Sequence, residues 1–360
     1  MEKIVSFGEL MLRLMPEGHS RFVQVNNFNA EFGGAEANVA VSLANFGMES
    51  VYVTKLPENQ IGQSALNSVR RFGVNTDFIT RGGDRLGIYF LEKGASQRGS
   101  LCIYDRKNSA FAESSLSDYD WNKIFDKAKW FHVTGVTPAL SKKTAELTLI
   151  ACKEAKKRGI TVSCDLNYRS KLWTKIQARK FMTSLAPFVD VCITNEEDAL
   201  NVFGIKTHKT DVDSGIIEKA AYIKTAEELK KKLGFKIVAI TLRQSINADN
   251  NNWSALLYDG KEVVFSREYS IHIVERVGSG DAFAGAFTGA FTDVALVEGT
   301  GSTNSTSSTS SLFSSCGSPQ LVSFHAAIIF GNPEPTFSPK PIMRSIFWIF
   351  GLRALEFPPL

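Results

Sequence analysis

In its C-terminal third the chain reads Val-Gly-Ser-Gly-Asp-Ala-Phe-Ala-Gly-Ala-Phe, residues 277–287. An apolar segment, residues 269–274, precedes this stretch, and the small and aromatic residues 282–290 predict a helix after it. Gly278 and Gly280 allow a sharp turn and a close approach of the backbone to a ligand. The first N–H groups of the helix are then free to bind negative charge, so the stretch predicts an anion-binding loop between a strand and a helix.

Asp281 is the first acid of this predicted helix. It complements the positive end of the helix dipole, and in a phosphoryl-transfer site it would accept a proton from an attacking hydroxyl group. Gly-x-Gly-Asp before a helix is also a common capping sequence. Both interpretations of Asp281 are open on these residues alone.

A second glycine turn, Gly33-Gly34, lies near the N-terminus and precedes a predicted helix, residues 35–46. Adjacent glycines again allow a ligand to approach the backbone closely. Asn38 lies near the start of that helix. Its amide serves either packing and capping or ligand binding, and the local sequence does not separate the two.

Strand and helix patterns alternate along most of the chain, which predicts an α/β fold. Such an alternation predicts a mostly parallel sheet that is covered on both faces and binds ligands at the carboxyl ends of its strands. Residues 87–93 and 100–104 interrupt the alternation as a hairpin inserted between βα units. The predicted strands are 3–7, 51–54, 130–133, 160–165, 189–194, 236–241, 254–258 and 262–265, and the predicted helices are 61–72, 142–158, 173–185, 226–233 and one that begins after Asn195.

Composition excludes several classes of protein. The 41 basic and 37 acidic residues are interspersed, and no basic run is interleaved with aromatic residues, so neither nucleic acid nor a membrane surface is expected as a partner. Five widely spaced cysteines without a Cys-x-x-Cys pair favour a reducing compartment, and we expect a cytoplasmic protein. The N-terminus is typical of a strand rather than a signal peptide, and no apolar run reaches the roughly 18 to 20 residues of a membrane span.

Residues 1 to about 292 resemble the ribokinase/PfkB-type carbohydrate kinases, and within them the kinases of the sugar acid 2-keto-3-deoxygluconate. The resemblance implies a ribokinase-like three-layer sandwich with a mostly parallel central sheet and a small β-lid, about residues 87–106. The general marks are Gly33-Gly34 with Asn38 and the sequence at 277–281. The marks of the sugar-acid branch are residues 8–14, 104–106, 109–110, 165–169 and 172–173.

The resemblance also implies roles for individual residues. The family transfers phosphoryl groups directly from ATP, with Mg²⁺ bridging the phosphates; the sequence shows no dedicated metal cage, and the metal ligands stay unassigned. The implied catalytic group is Asp281 with the backbone of Gly278, Ser279 and Gly280. The implied sugar-binding residues are Gly34, Asn38, Tyr89, Tyr104, Arg106, Arg169 and Asp281, and the implied nucleotide-side residues are Asn167, Asn195, Asp198, Arg243, Gly278 and Gly280.

The two arginines favour an acidic substrate, because a guanidinium group pairs with a carboxylate through two parallel hydrogen bonds. We therefore expect ATP-dependent phosphorylation of 2-keto-3-deoxy-D-gluconate to its 6-phosphate. One alternative is a kinase of neutral sugars, of the fructokinase or ribokinase type. Another is a catalytically damaged relative that binds a sugar acid or a protein partner.

The sequence departs from the family pattern at three places, and the last of them, the abnormal C-terminal quarter, supports the second alternative. The family's Asn-x-x-Glu is Asn195-Glu196-Glu197-Asp198 here, with a shorter acid that we expect to act through water, and its Lys-x-Gly loop becomes residues 241–245 with Arg243. The kinase domain is predicted to end at 298, followed by a Ser/Thr/Gly-rich linker, 299–320, predicted to be disordered. Residues 321–360 form an atypical tail in place of the family's last segment. The resemblance further implies a homodimer formed through the β-lid.

Overall fold

A mostly parallel sheet lies at the centre of the protein in the computed structural model, which describes residues 2–207, 219–247, 250–273 and 277–299, the last seven without their side chains. Seven of its strands are parallel, and three antiparallel strands extend one edge. In spatial order the strands are β13 (Val263–Phe265), β12 (Asn250–Tyr258), β11 (Ile237–Ser245), β10 (Val191–Thr194), β9 (Thr161–Asp165), β8 (Ala128–Thr134), β1 (Lys3–Phe7), β4 (Glu49–Leu56) and β5 (Ile79–Arg81), with β14 (Tyr269–His272) paired to β12.

Strand β1 lies in the middle of this sheet, between β4 and β8, and all five of its residues are buried. Val5 and Phe7 pack into the core on one face, and Ile4 packs into the core on the other. Successive side chains of a strand point to opposite faces, so a strand covered on both sides needs a nearly continuous apolar sequence.

Helices cover both faces of the sheet, which confirms the predicted α/β fold with a mostly parallel sheet. Polar caps begin several of them: the Ser141 side chain accepts from Thr144 N, and the Thr174 side chain accepts from Gln177 N. The helices are α1 (Ala35–Asn45), α2 (Gln60–Arg70), α3 (Trp121–Ile124), α4 (Lys142–Lys157), α5 (Lys175–Leu185), α6 (Glu196–Asp198), α7 (Lys219–Leu233) and α8 (Ser279–Gly299).

Helices α1 and α8 pack against each other and against the same face of the sheet. Val39 and Leu43 of α1 and Phe283 and Phe287 of α8 lie in one buried cluster with Ile4 of β1. The Phe283 and Phe287 rings stack at a centroid distance of 6.2 Å. This packing fixes the first turns of the two helices relative to each other.

A second, four-stranded sheet forms the lid, and it is larger than the predicted insertion at 87–106. Its strands lie in the order β3 (Asn29–Gly33), β2 (Met11–Met15), β6 (Ile88–Glu92) and β7 (Leu101–Asp105). The hairpin of β6 and β7 lies where the sequence predicts one, with Tyr89 opposite Tyr104. Strands β2 and β3 were not predicted. Strand β3 is a largely exposed edge strand without alternating apolar residues.

Within the described ranges, no helix combines the length and the apolar character that a membrane span needs. The predicted linker, 299–320, and the predicted tail, 321–360, lie outside the described residues, apart from Gly299 at the end of α8.

Candidate active site

Helix α8 begins at Ser279, three residues before the run 282–290, so Gly280 joins its first turn, and Asp281 is its first acid, as predicted. Gly278 precedes it with a φ of +89°, in the left-handed region that glycine adopts without strain. The amide of Ala282 donates to the Gly278 carbonyl at 2.8 Å, which closes the first turn. The N–H groups of this turn are the donors that the sequence predicts for an anion.

Asn38 and Asp281 meet where the first turns of α1 and α8 converge. Asn38 Nδ2 donates to Asp281 Oδ2 at 2.8 Å, although the residues are 243 positions apart. Burial raises the pKa of Asp281, and the Asn38 hydrogen bond and the charge of Arg169 oppose that rise. A methyl group at Gly278 would lie 3.3 Å from Asn38 Nδ2. The structure therefore brings three predicted site residues to one point.

The charge of Arg169 acts on three carboxyl groups, those of Asp165, Asp198 and Asp281. Burial raises the pKa of Asp165, at the end of β9, well above its usual range; Asp198 and Asp281 raise it further and Arg169 lowers it. Burial also raises the pKa of Asp198 to about 6, again with Arg169 opposing. Arg169 is thus the cation that Asp165, Asp198 and Asp281 share.

Asp165 also shapes the loop that follows β9. Its Oδ1 accepts from the backbone N–H of Asn167 at 3.2 Å, and Asn167 has a φ of +37°. Asn tolerates this left-handed conformation better than most residues. Asp165 was not predicted as a site residue, although it stands first in the motif 165–169.

Asn195 and Asp198 are bonded to each other at the start of α6. Asn195 Oδ1 accepts from the Asp198 backbone at 2.8 Å, and Asn195 Nδ2 donates to Asp198 Oδ2 at 3.1 Å. Arg243 of β11 acts on a different acid: its charge lowers the pKa of Glu196, which burial raises. Of the predicted nucleotide-side residues, Asn195 and Asp198 are bonded to each other, and Arg243 acts on Glu196, which lies between them in the sequence.

Two tyrosines of the lid face each other and the site. The ring centroids of Tyr89 and Tyr104 are 6.1 Å apart, and Tyr89 Oη would lie 3.2 Å from a methyl group at Gly33. Burial raises the pKa of Tyr89 to about 12, and Asp281 adds to that rise. The charge of Asp281 therefore acts on the Tyr89 hydroxyl group of the lid.

Arg106 is buried and already paired. Its Nε donates to Glu9 Oε2 at 2.8 Å, its Nη2 donates to the same oxygen, and Ser109 Oγ donates to Glu9 Oε1. The guanidinium carbon lies 5.5 Å from the Tyr104 ring centroid. Glu9 was not predicted as a partner of Arg106, although residues 8–14 and 109–110 belong to the motifs of the sugar-acid branch.

Glu36 is a further buried acid without a predicted role, besides Asp165 and Glu9. Its Oε1 accepts from Thr134 N, Thr134 Oγ1 and Thr137 Oγ1 at 3.1, 2.8 and 2.7 Å. Burial raises its pKa, these hydroxyl groups lower it, and Asp281 raises it. Glu36 thereby ties the start of α1 to the end of β8.

Among the residues that the structure describes, no group of three or more His, Cys, Asp or Glu side chains is arranged to hold a metal ion. At this edge, the Asp198 carboxylate and the Asn195 amide carry oxygen atoms, the kind of ligand that Mg²⁺ binds. A phosphate-bound magnesium ion needs only one or two protein carboxylates, with phosphate and water completing its shell.

The chain is similar to known proteins over most of its length. Residues 1–302 match the model of the pfkB family carbohydrate kinases. The crystal structure of 2-dehydro-3-deoxygluconokinase from Thermotoga maritima is 49% identical, with a TM-score of 0.77, over 83% of this chain and 88% of that one. A PfkB family carbohydrate kinase from Listeria grayi is 34% identical, with a TM-score of 0.73, over 82% and 88%. The 2-dehydro-3-deoxygalactonokinase of Haloferax volcanii is 32% identical over 285 residues, 79% of this chain and 83% of the relative.

The predicted ribokinase-like fold and the predicted class of enzyme are both confirmed by these matches. The matched span includes β1, the lid, Arg169 and the first turn of α8, so every site residue described above lies within it. The chain belongs to the pfkB family of carbohydrate kinases.

Proposed function

We propose that this protein transfers the terminal phosphoryl group of ATP to the 6-hydroxyl of a 2-dehydro-3-deoxy sugar acid, with 2-keto-3-deoxygluconate as its substrate. The observation that carries the proposal is the hydrogen bond between Asn38 Nδ2 and Asp281 Oδ2. It fixes one carboxyl oxygen in the first turn of a helix, where backbone N–H groups have no partner within the helix.

Asp281 acts as general base. It takes the proton of the sugar hydroxyl while the hydroxyl oxygen bonds to phosphorus and the bond from phosphorus to ADP breaks. A positioned base contributes roughly two to four powers of ten in rate. Because burial raises the pKa of Asp281, its carboxylate is a stronger base than an exposed aspartate.

The N–H groups at Gly278 to Asp281 stabilise the charge of the transferred phosphoryl group. Gly278 precedes α8 and the other three residues begin it, so these N–H groups lie at the N-terminal end of the helix. Preorganised donors of this kind act without reorganisation during the reaction. Magnesium, when bound with the nucleotide, neutralises phosphate charge; Asp198 would hold it, through water.

Arg169 is the cation we assign to the substrate carboxylate. Arg106 is already paired with Glu9, whereas Arg169 balances Asp165, Asp198 and Asp281 together. Two relatives, from T. maritima and H. volcanii, are named for 2-dehydro-3-deoxy sugar acids. These acids share the keto-acid end and differ in the configuration of one hydroxyl, which supports recognition of the acid end.

The galactonate epimer is a second candidate substrate because of the H. volcanii relative. A neutral-sugar kinase and a catalytically damaged relative are the remaining alternatives. A neutral sugar would give Arg169 no negatively charged ligand to bind, and turnover separates an active kinase from a damaged relative that only binds the sugar acid.

The test is ATP turnover by the full chain with 2-keto-3-deoxygluconate, 2-keto-3-deoxygalactonate, fructose and ribose. We expect turnover on a keto acid and a loss of at least about a hundredfold in kcat for Asp281→Asn. Asp259→Asn, in the turn between β12 and β13, is the matched control and should keep wild-type turnover. Turnover on fructose or ribose alone, or none from a folded chain, would contradict the proposal.

A further inference from the structure

Glu9 lies where the lid joins the main domain. The described chain crosses between the two sheets four times: at 8–10, at Gly34, at 82–87 and from Arg106 onward. Glu9 belongs to the first crossing, and its carbonyl group contacts Gly34 in the second. The other two crossings contact the side chain of Glu9, so all four crossings lie against this buried acid.

The Glu9 side chain reaches the other two crossings. A methyl group at Gly87 would lie 2.6 Å from Glu9 Oε1 and 3.2 Å from Arg106 Cβ, so only glycine fits between them. Arg106 and Ser109, after β7, donate to the two carboxylate oxygens. Glu9 is 3% exposed, and its ion pair with Arg106 is shielded from water.

The pairing fixes one edge of the Arg106 guanidinium. Glu9 takes the edge formed by Nε and Nη2, and no described residue accepts a hydrogen bond from Nη1. The guanidinium also lies over the Tyr104 ring. Both neighbours hold the group in one orientation, and Nη1 is the donor left for a ligand under the lid.

We infer that Glu9 is a positioning residue for the sugar site, which it serves by orienting Arg106 and the hinge of the lid. This inference rests on the proposed function. Arg106 is oriented before binding, so the sugar acid does not have to order a flexible side chain. The lower entropic cost increases the affinity for the sugar acid rather than the catalytic rate.

The test compares sugar-acid binding by the full chain, Glu9→Gln, and Glu92→Gln as control. Glu92 is also a buried lid acid paired with an arginine, Arg98, but it lies at the far end of β6. Dissociation constants for 2-keto-3-deoxygluconate are measured by calorimetry without nucleotide, followed by KM, kcat and the thermal midpoint. We expect Glu9→Gln to weaken binding and raise KM about 10- to 100-fold with little change in kcat.

A double variant separates positioning from general stability. If Glu9 acts through Arg106, Glu9→Gln/Arg106→Gln binds the sugar acid no more weakly than Arg106→Gln alone. Additive losses, an equal loss in Glu92→Gln, or wild-type affinity in Glu9→Gln overturn the inference while wild-type binding upholds the proposed function. A wild-type chain that binds neither keto acid overturns the proposed function, and this inference with it.

Discussion

Gly285 of α8 lies directly against Ser42 of α1. A methyl group at position 285 would lie 2.7 Å from Ser42 Cβ and 3.3 Å from its Oγ. Ser42 follows Asn38 by four positions, about one helical turn, and Gly285 follows Asp281 by the same number. This close contact between the two helices is therefore one turn away from the proposed base.

Replacing Gly285 by alanine should separate the helices at this contact. Overpacking of this kind costs about 1 to 3 kcal/mol, and we expect kcat to fall about tenfold because Asn38 and Asp281 move apart. Thermal unfolding and steady-state kinetics measure the two effects.

Gly289→Ala is the matched control, one turn further along α8. Its nearest neighbour, Phe46 Cδ2, would be at an ordinary 3.5 Å, so this variant should keep both activity and stability. Adding Ser42→Gly to Gly285→Ala should restore kcat. Full activity in Gly285→Ala alone would contradict the role of this contact.

Asn38→Ala should move the acid limb of the kcat/KM profile to higher pH. The Asn38 hydrogen bond favours the charged form of Asp281 and opposes the rise in pKa caused by burial. Without it, protonation of Asp281 begins at higher pH, and the base is lost earlier on acidification.

The matched control is Asn45→Ala, at the other end of the same helix, which should keep the wild-type profile. A limb that stays in place or moves to lower pH in Asn38→Ala would argue against Asp281 as the base.

Gly278→Ala should reduce kcat/KM by about 10- to 100-fold. Its φ of +89° costs an alanine about 1 to 2 kcal/mol, and the added methyl group meets Asn38 Nδ2 at 3.3 Å. Gly47→Ala has the same backbone cost at a φ of +81°, with nothing within 4 Å of the methyl group. Both variants should lose similar stability, and only Gly278→Ala should lose activity; equal activities would refute the proposed role of the turn.

His132 should make the protein sensitive to acid. It is fully buried on β8, with Nδ1 2.8 Å from Ser163 Oγ, and burial lowers its pKa to about 3. The unfolded chain binds a proton near pH 6.5 that the folded chain does not, so the stability present above that pH is lost as the pH falls towards 3.

The measurement is the free energy of unfolding in urea at several pH values, for wild type and His132→Asn. Below about pH 6.5 the wild type should lose about 1.4 kcal/mol more per pH unit than the variant. The difference between the two proteins isolates His132 from Glu36 and Asp165, whose raised pKa values act in the opposite direction. Parallel pH dependences would show that His132 does not titrate on unfolding.

Local sequence patterns predicted that Asn38 and Asp281 each lie near the start of a helix that follows a glycine turn, and the family resemblance implied that both belong to the sugar site. They did not predict the ion pair of Glu9 with Arg106, which joins residues 97 positions apart. Nor did they predict β3, an exposed edge strand whose pairing with β2 rather than an apolar pattern defines it. Long-range pairing of polar side chains has no local signal, whereas periodicity and glycine turns do.

The central position of β1 also sets an order of events during synthesis. Its first neighbour, β4, ends at Leu56, but its second, β8, is complete only at Thr134. At ordinary translation rates an apolar strand with one unpaired edge therefore waits on the order of ten seconds for its partner. A nascent chain that stalls in this interval presents a ready template for association with other chains.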